Sequence, residues 1–356
     1  LLEVTRKDST LSMTQSRFLL EETKQSKKGT WSIPLVIEEG NQRIKKLMTK
    51  KSEKINLKNK DRNFIINSGR TGFYRVQYDK ESLDNLSLLV DEKILDHIDR
   101  WSLQNDYFVQ VVSTKKSLRG YLDFITAYYD EDNYISSLSL AQNLFSLYII
   151  TRKEKFSDEL REYAVNFLGT IHDRLGWDKK KNEPHTDALL RSFAIVGLGK
   201  LGDTNIISEA QLRFKKYLKN NNSLPADIQE SVFSLVAWNG DEKLHKKFIT
   251  LFKQANSQEE KLRFLAAMCN FKQKKILLKT LQFTLGPDVR SQNIQLPIMR
   301  ITSNIYGKEF MWSWLKNNWK KIHRKAGIGN PLLKRVVDSI GHVVTANQEK
   351  EVRQFF

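Results

Sequence analysis

Histidine spacing is the first place to look for metal chemistry in this chain. The six histidines are His97, His172, His185, His245, His323 and His342. A helical zinc site of a metallopeptidase needs two histidines four residues apart on one helix face, with a glutamate between them as general base. No two of the six have that spacing. We therefore expect no metal site and no cofactor in this chain, and no ligand partner for His185 in the segment Glu183-Pro184-His185.

Other sequence patterns that carry catalysis are missing as well. The single cysteine, Cys269, follows the apolar run 265–268 and is expected to be buried rather than nucleophilic. No Gly-x-Ser-x-Gly elbow and no phosphate-binding loop occurs, and residues 197–200 (Gly-Leu-Gly-Lys) are expected to end a helix. The acidic triplet 130–132 is interpreted as a solvated loop. The sequence therefore assigns no catalytic residue.

The charge balance is strongly basic. Lysine and arginine number 59 against 41 aspartates and glutamates, which gives a formal net charge of +18. Such a charge can attract nucleic acid. The lysines are scattered in short runs such as 45–46, 50–51 and 179–181, so we favour a solvated lysine-rich surface and expect no nucleic-acid partner. A third interpretation is a positive chamber that attracts peptide carboxylates.

Compartment and membrane attachment are only weakly indicated. No run of about 18 apolar residues exists, so we expect no membrane-spanning segment and no membrane partner. One cysteine fits a reducing cytoplasm, where we place the protein. The first residues do not form a signal peptide, and the lack of an initiator methionine leads us to expect a chain that begins inside a longer protein.

Residues 1–80 have the pattern of short β-strands. Polar and apolar residues alternate in 11–15 and partly in 31–37, while 64–66 and 73–78 are rich in β-branched and aromatic residues. Turn-forming residues separate these runs. Several short strands joined by such turns predict a small all-β sandwich domain over residues 1–80.

From residue 81 to residue 356 the hydrophobic period becomes helical. Residues 156–168 place apolar side chains on one stripe, and breaks recur about every 15 to 20 residues. Ser257 and Glu260 have capping-box spacing, and Asp241 is a candidate helix cap. We predict a multidomain protein in which a large all-α, HEAT-like superhelical domain over 81–356 follows the sandwich.

The interpretation of the chain's function depends most on residues 72–78 (Gly-Phe-Tyr-Arg-Val-Gln-Tyr). They resemble the Gly-aromatic-Tyr-Arg-Val-x-Tyr signature of the aminopeptidase N-like gluzincins, a family of zinc metalloaminopeptidases. Further segments match the family's pattern in order: 15–18, 31–35, 99–108, 190–192 and 304–319. The chain is most similar to the tricorn-interacting-factor and endoplasmic-reticulum-aminopeptidase branch, and the resemblance covers nearly its whole length.

The resemblance singles out nine signature residues, to which we assign structural roles. They are Gly72, Tyr74, Arg75, Tyr78, Trp31, Arg100, Arg191, Trp312 and Trp319. The family's Gly-Ala-Met-Glu-Asn motif and its zinc helix are absent, because the family carries both before the region that this chain matches. No catalytic or metal residue can be transferred, and the residues that bind peptide tails stay unassigned.

The resemblance implies a function for a larger protein. The intact parent is expected to be a zinc aminopeptidase that removes N-terminal residues from peptides, with one zinc ion in its catalytic domain. The helical region is expected to cap the active-site chamber and hold peptide tails, with the N-terminal and catalytic domains as partners. The alternatives are a basic HEAT-like module that binds nucleic acid or protein, and a purely structural scaffold.

Overall fold

A computed structural model describes residues 1–21, 29–59, 63–327, 331–341 and 343–356. The chain forms two compact units, Leu1–Arg174 and Leu175–Phe356. Strands occupy the beginning of the first unit, and the last of them ends at Tyr78, two residues before the first helix. The predicted fold class, a small β-sandwich followed by an all-α region, is confirmed. The domain limits 1–80 and 81–356 and the HEAT-like character stay predictions.

The β-region contains two small sheets. Its strands are β1 (Leu2–Lys7), β2 (Thr10–Gln15), β3 (Ile33–Glu39), β4 (Gln42–Met48), β5 (Ser52–Asn56), β6 (Phe64–Ile66) and β7 (Val76–Tyr78). One sheet has the order β5-β2-β1-β7 and the other β4-β3-β6. Pairing is antiparallel except between β1 and β7, which run parallel with Leu2 opposite Val76.

Alternating burial gives the sandwich its core. Leu11 and Met13 on β2 and Leu35 and Ile37 on β3 are buried, with more exposed residues between them. One face of each sheet is therefore apolar, and the two faces pack together. The strand predicted over residues 73–78 is shorter in the structure, because the backbone around Gly72 is hydrogen-bonded within its own loop.

Five helices complete the first unit. They are α1 (Lys80–Asp91), α2 (His97–Val112), α3 (Leu118–Phe124), α4 (Tyr134–Thr151) and α5 (Ser157–Leu175), which ends at the unit boundary. Asp79 and Asp96 cap α1 and α2 by accepting a backbone N–H through their side chains. The stripe predicted on α5 is buried: Leu160, Ala164, Phe167 and Leu168.

The second unit consists of helices throughout its described residues. They are α6 (His185–Lys200), α7 (Thr204–Lys219), α8 (Ala226–Trp238), α9 (Glu242–Gln254), α10 (Gln258–Met268), α11 (Lys274–Leu285), α12 (Gln295–Ser303), α13 (Lys308–Ala326), α14 (Pro331–Ile340) and α15 (Glu349–Phe355). The capping box at Ser257 and the Asp241 cap both form as predicted.

An aromatic cluster fills the middle of the second unit. Phe233 lies 5.8 Å from Phe214 and 5.3 Å from Phe264 between ring centroids, and Phe248 lies 5.5 Å from Phe214. All four side chains are buried, so α7, α8, α9 and α10 share this core. Among the described helices, none combines the length and the apolar character that a membrane crossing requires.

Candidate functional site

Helix α2 covers the outer edge of strand β7 with polar side chains. The carboxylate of Asp106 accepts a hydrogen bond from the Val76 amide at 2.9 Å. One helical turn later, the side-chain amide of Gln110 donates to the Val76 carbonyl at 3.1 Å. Both backbone groups of an edge residue are therefore satisfied by a helix instead of a further strand. Spacing of four residues on α2 places the two side chains side by side.

Two arginines from the signature region converge on the same carboxylate. Oδ1 of Asp106 accepts hydrogen bonds from Arg70 and Arg75, each at 2.9 Å. The Arg70 guanidinium also donates to Ser102 at 2.6 Å and lies 5.2 Å from the centroid of the Trp101 ring. Asp106 is thus a buried anion with two cations and one amide around it. This arrangement joins the sandwich to α2.

The loop before β7 is fixed by Asn67. Its side chain accepts a hydrogen bond from the Gly72 amide at 2.8 Å and donates to the carbonyls of Gly72 and Tyr74. A Cβ on Gly72 would lie 2.3 Å from Cε1 of Tyr74, so the ring of Tyr74 occupies the space that any larger residue needs. The signature glycine therefore permits close packing of the loop against the tyrosine.

The two signature tyrosines differ in their surroundings. The Tyr78 hydroxyl is buried and accepts from the Ile66 amide at 2.8 Å, and burial raises its pKa well above the usual range. Burial also raises the pKa of Tyr74 to about 12. Both phenols therefore stay protonated at physiological pH. The Tyr78 hydroxyl holds the Ile66 backbone, and the structural role of Tyr74 stays a prediction.

Trp31 is held by its backbone. Its amide donates to the Gln15 side chain at 2.8 Å, and Gln15 donates back to the Trp31 carbonyl at 2.9 Å. Gln15 is fully buried, whereas 41% of Trp31 is exposed. The first two resemblance segments, 15–18 and 31–35, therefore meet at one backbone junction.

Arg100 corrects the interpretation of the acidic triplet 130–132. Glu131 is buried and receives a bidentate pair from Arg100 at 2.7 and 2.8 Å. Arg100 also donates to the Leu95 carbonyl, and its own carbonyl accepts from the Tyr128 hydroxyl. Only Asp130 and Asp132 are solvated. The prediction failed for Glu131 because its partner lies 31 residues earlier in the chain.

The later signature residues also bond within the chain. Arg191 is 1% exposed, pairs with Glu183 and donates to the Leu175 carbonyl. The Trp312 indole donates to Glu351 at 2.9 Å. Trp319 lies 5.2 Å from the Phe356 ring. The structural role assigned to the signature residues stays a prediction. These contacts within the chain are the observations that support it.

Metal and thiol chemistry find no support in the described residues. No group of three or more His, Cys, Asp or Glu side chains there could hold a metal ion. His245 is buried against Thr280, and burial lowers its pKa to about 4. Cys269 is buried, and burial raises the pKa of its thiol to about 12. His342 lies outside the described residues.

A cationic site that the sequence did not reveal lies in the second unit. The Lys200 ammonium, at the end of α6, donates to Oδ1 of Asn270 at 2.9 Å and lies 5.0 Å from the centroid of the Trp238 ring. Lys272 lies 5.2 Å from the same indole. Tyr306 packs 5.5 Å from Trp238 and is 42% exposed. We call these five residues the Lys200 site.

The Lys200 site has positive charge without a matching anion. Among the described residues, no carboxylate lies within ion-pair distance of Lys200 or Lys272, and the neighbouring Arg300 is paired with Glu230 at 2.7 Å. Burial lowers the pKa of Lys200 to about 8, and the Arg300 charge acts in the same direction. A half-buried ammonium without a counter-ion is unfavourable, and a bound anion would relieve it.

Local sequence offered one weak signal for this site. Residues 197–200 were correctly interpreted as the end of a helix, and Lys200 is the last residue of α6. Its partners lie 38 to 106 residues further on, at the ends of α8, α10 and α12, so no spacing rule connects them.

Three relatives of this chain among known proteins are all named aminopeptidases. The chain is 28% identical over 97% of its length to aminopeptidase M1-D of Oryza sativa subsp. japonica, covering 41% of that protein. It is 26% identical over 98% of its length to aminopeptidase M1 of Arabidopsis thaliana, covering 42% of it. It is 25% identical over 92% of its length to leucyl aminopeptidase of Saccharolobus solfataricus, covering 39% of it. The chain thus spans about two fifths of the length of these curated relatives.

A family comparison agrees with these relatives. The sequence model of the ERAP1-like C-terminal domain matches residues 63–356, which is most of the chain and includes α1–α15. The matched segment also contains the Asp106 junction and the Lys200 site. The chain therefore belongs to the ERAP1-like C-terminal domain family.

Proposed function

We propose that the chain is the C-terminal part of a zinc aminopeptidase and that it holds the tail of the peptide substrate. The relatives are named aminopeptidases, and the matched family is a C-terminal domain. The catalytic zinc would lie in a part of the enzyme outside this chain, since the described residues contain no suitable ligand set. Peptides and the catalytic domain of the same enzyme are the proposed partners.

The Lys200 site carries the proposal for tail binding. A peptide tail ends in a carboxylate, and two ammonium groups without acidic partners suit that charge. Trp238 and the exposed Tyr306 offer aromatic surface beside the cations. A C-terminal residue with an apolar side chain could therefore place its carboxylate at the lysines and its side chain on the rings.

Energetic estimates indicate weak binding by the chain alone. A solvent-exposed ion pair contributes about 0–1 kcal/mol, and a better-enclosed charge-assisted hydrogen bond contributes about 1.5–3 kcal/mol. Useful affinity then requires further contacts from a catalytic domain that closes over the peptide. Enclosure also excludes water and lets binding energy from the tail position the scissile bond.

The experiment is fluorescence anisotropy with labelled peptides that differ only at the C-terminus, free acid against amide. We expect the free acid to bind roughly tenfold more tightly. The Lys200→Met and Lys272→Met variants should remove that preference, whereas Lys215→Met, at an exposed lysine on α7, should keep it. Raising the salt from about 0.1 M to 1 M should weaken the preference, because the Debye length falls from about 10 Å to 3 Å.

A basic module for nucleic acid is the competing function. It predicts tight binding of DNA or RNA with a steep dependence on salt, because several phosphates would release counter-ions. If the chain binds nucleic acid tightly at physiological salt and does not distinguish peptide acids from amides, the peptide-tail proposal is wrong.

A further inference from the structure

A second concentration of positive charge adjoins the Lys200 site in the chain and lies on α9 and α11. Its members are Lys243, Lys246, Lys247, Lys274, Lys275 and Lys279. All are exposed except Lys279, which is half-buried. We call these six residues the lysine cluster. They occupy the first halves of both helices, at positions 243–247 and 274–279.

The two helices run side by side in the same direction. Just before their starts, the Gln273 side chain donates to the Gly240 carbonyl at 3.0 Å. Further along, His245 on α9 is hydrogen-bonded to Thr280 in the middle of α11 at 2.9 Å. Near their ends, the rings of Phe252 and Phe283 lie 5.2 Å apart. Both starting ends therefore lie together, about one helix spacing of 8–10 Å apart. That spacing is close to the Debye length of about 8 Å at physiological salt, so a ligand at the starts of both helices would experience charge from each of them.

Acidic residues neutralise only part of the cluster. Glu242 pairs with Lys275 and Lys279. In the described part of the chain, no carboxylate lies within ion-pair distance of the other four members, Lys243, Lys246, Lys247 and Lys274. Apart from Asp241 and Glu242 at the start of α9, the exposed charges of the cluster are therefore positive.

The start of α11 breaks the usual rule for helix ends. Lys274 and Lys275 fill its first turn, no acidic residue is present there, and the Gln273 side chain forms no capping hydrogen bond. Because the start of a helix carries partial positive charge, two lysines there are unfavourable for folding. An unfavourable local arrangement, such as two lysines at the start of a helix, is expected where a surface has a binding role.

The composition of the cluster favours a lipid surface over nucleic acid. Every member is a lysine, a compact point charge without the planar fork that makes arginine the preferred residue for recognising nucleic acid. The aromatic residues of α9, Phe248 and Phe252, are buried and cannot stack on bases. Lysines spread over two adjacent parallel helices can meet several lipid headgroups at once.

We propose that the lysine cluster binds the surface of membranes rich in anionic lipids. Each lysine near such a surface contributes about fivefold in affinity, which corresponds to about 1 kcal/mol. Attachment of this kind needs no membrane-spanning helix, and the proposal departs from the expectation that the protein has no membrane partner. It does not depend on the peptide-tail function.

The test is co-sedimentation of the chain with vesicles of phosphatidylcholine containing about 30 mol % phosphatidylserine, compared with pure phosphatidylcholine. Neutralising Lys243, Lys246 and Lys247 together to glutamine should weaken binding to the anionic vesicles by about 100-fold. A control variant with the same loss of charge changes the exposed residues Lys179, Lys181 and Lys215 to glutamine and should change binding much less.

Circular dichroism would verify that both triple variants are folded. Selective loss in the cluster variant, together with release of the unchanged protein at about 1 M salt, supports the proposal. Three results would overturn it: no preference for anionic vesicles, equal loss in the two triple variants, or tighter binding of duplex DNA or RNA than of the vesicles through the same lysines.

Discussion

Asp106 accepts a hydrogen bond from the backbone amide of Val76 at 2.9 Å, and this contact links helix α2 to the edge strand β7. A strand edge normally bonds to water or to another strand. Here a helix takes that place, and the same carboxylate is held by Arg70 and Arg75. The sandwich and the first helices should therefore unfold together.

Replacing Asp106 by asparagine tests this link. The variant keeps the shape of the side chain but leaves two arginines without their anion, so we expect the free energy of unfolding to fall by about 2–4 kcal/mol. Urea denaturation measures the change. Asp84→Asn is the control, because Asp84 pairs with Lys80 on the exposed surface and should contribute less than about 1 kcal/mol. Equal effects in the two variants would show that Asp106 does not hold the junction.

Gly72→Ala tests the packing of the signature loop. The added methyl group would lie 2.3 Å from the Tyr74 ring, so the ring must move and stability should fall by about 1–3 kcal/mol. Gly169→Ala is the matched control, since it sits inside α5 and, apart from its chain neighbours and the backbone of that helix, no heavy atom lies within 4 Å of its added carbon. That change should stabilise the protein by up to about 1 kcal/mol. Thermal melts of both variants measure these changes in stability. If Gly72→Ala leaves the stability unchanged, the proposed crowding by the Tyr74 ring is wrong.

His245 should make the second unit sensitive to acid. Burial lowers its pKa to about 4, against 6.5 for an unperturbed histidine. The neutral form is therefore favoured in the folded state. Its full contribution to stability is present above pH 6.5 and is lost as the pH falls from 6.5 towards 4, by about 3 kcal/mol in all. Urea titrations across this range should show the loss.

Two histidine variants test whether His245 causes the loss of stability at low pH. His245→Gln should flatten the pH dependence between pH 6.5 and 4, whatever its effect on stability at neutral pH. His185→Gln, at an exposed histidine, should leave the dependence as it is in the unchanged protein. An unaltered pH profile in His245→Gln would assign the acid sensitivity to other groups.

Binding of peptide tails should depend on the charge of Lys200. Its pKa is lowered to about 8, so the ammonium form predominates below that pH and is lost above it. The affinity for a free-acid peptide should be level below about pH 8 and should fall as the pH rises further, while the affinity for the amide changes little. Anisotropy at several pH values measures both. A free-acid affinity that stays level through this range would exclude Lys200 as the anchor.

Local patterns in the sequence predicted much of the fold. Alternation located β2, and the spacing of Ser257 and Glu260 located the start of α10, because both depend on neighbours within a few residues. The signature resemblance located the Gly72 loop. Its physical basis, the hydrogen bonds of Asn67 and the packing of Tyr74, appeared only in three dimensions.

Contacts between distant residues could not be predicted in this way. Glu131 was placed in a solvated loop because its partner Arg100 lies 31 residues away. Lys200 and Asn270 are separated by 70 residues and meet only because α6 and α10 end close together. Hydrophobic periodicity describes which face of a helix is buried, but it does not describe which helix ends meet.

Photo-crosslinking tests most directly where the end of a peptide binds. A peptide with a free C-terminal carboxylate and a benzophenone side chain on its last residue would be irradiated with the protein and the adducts mapped by mass spectrometry. We predict adducts on the segments that carry Trp238 and Tyr306, with loss of these adducts in Lys200→Met and after amidation of the peptide. Adducts that lie elsewhere, or that persist unchanged with the amidated peptide, would contradict a role of this chain in holding the substrate's tail at the Lys200 site.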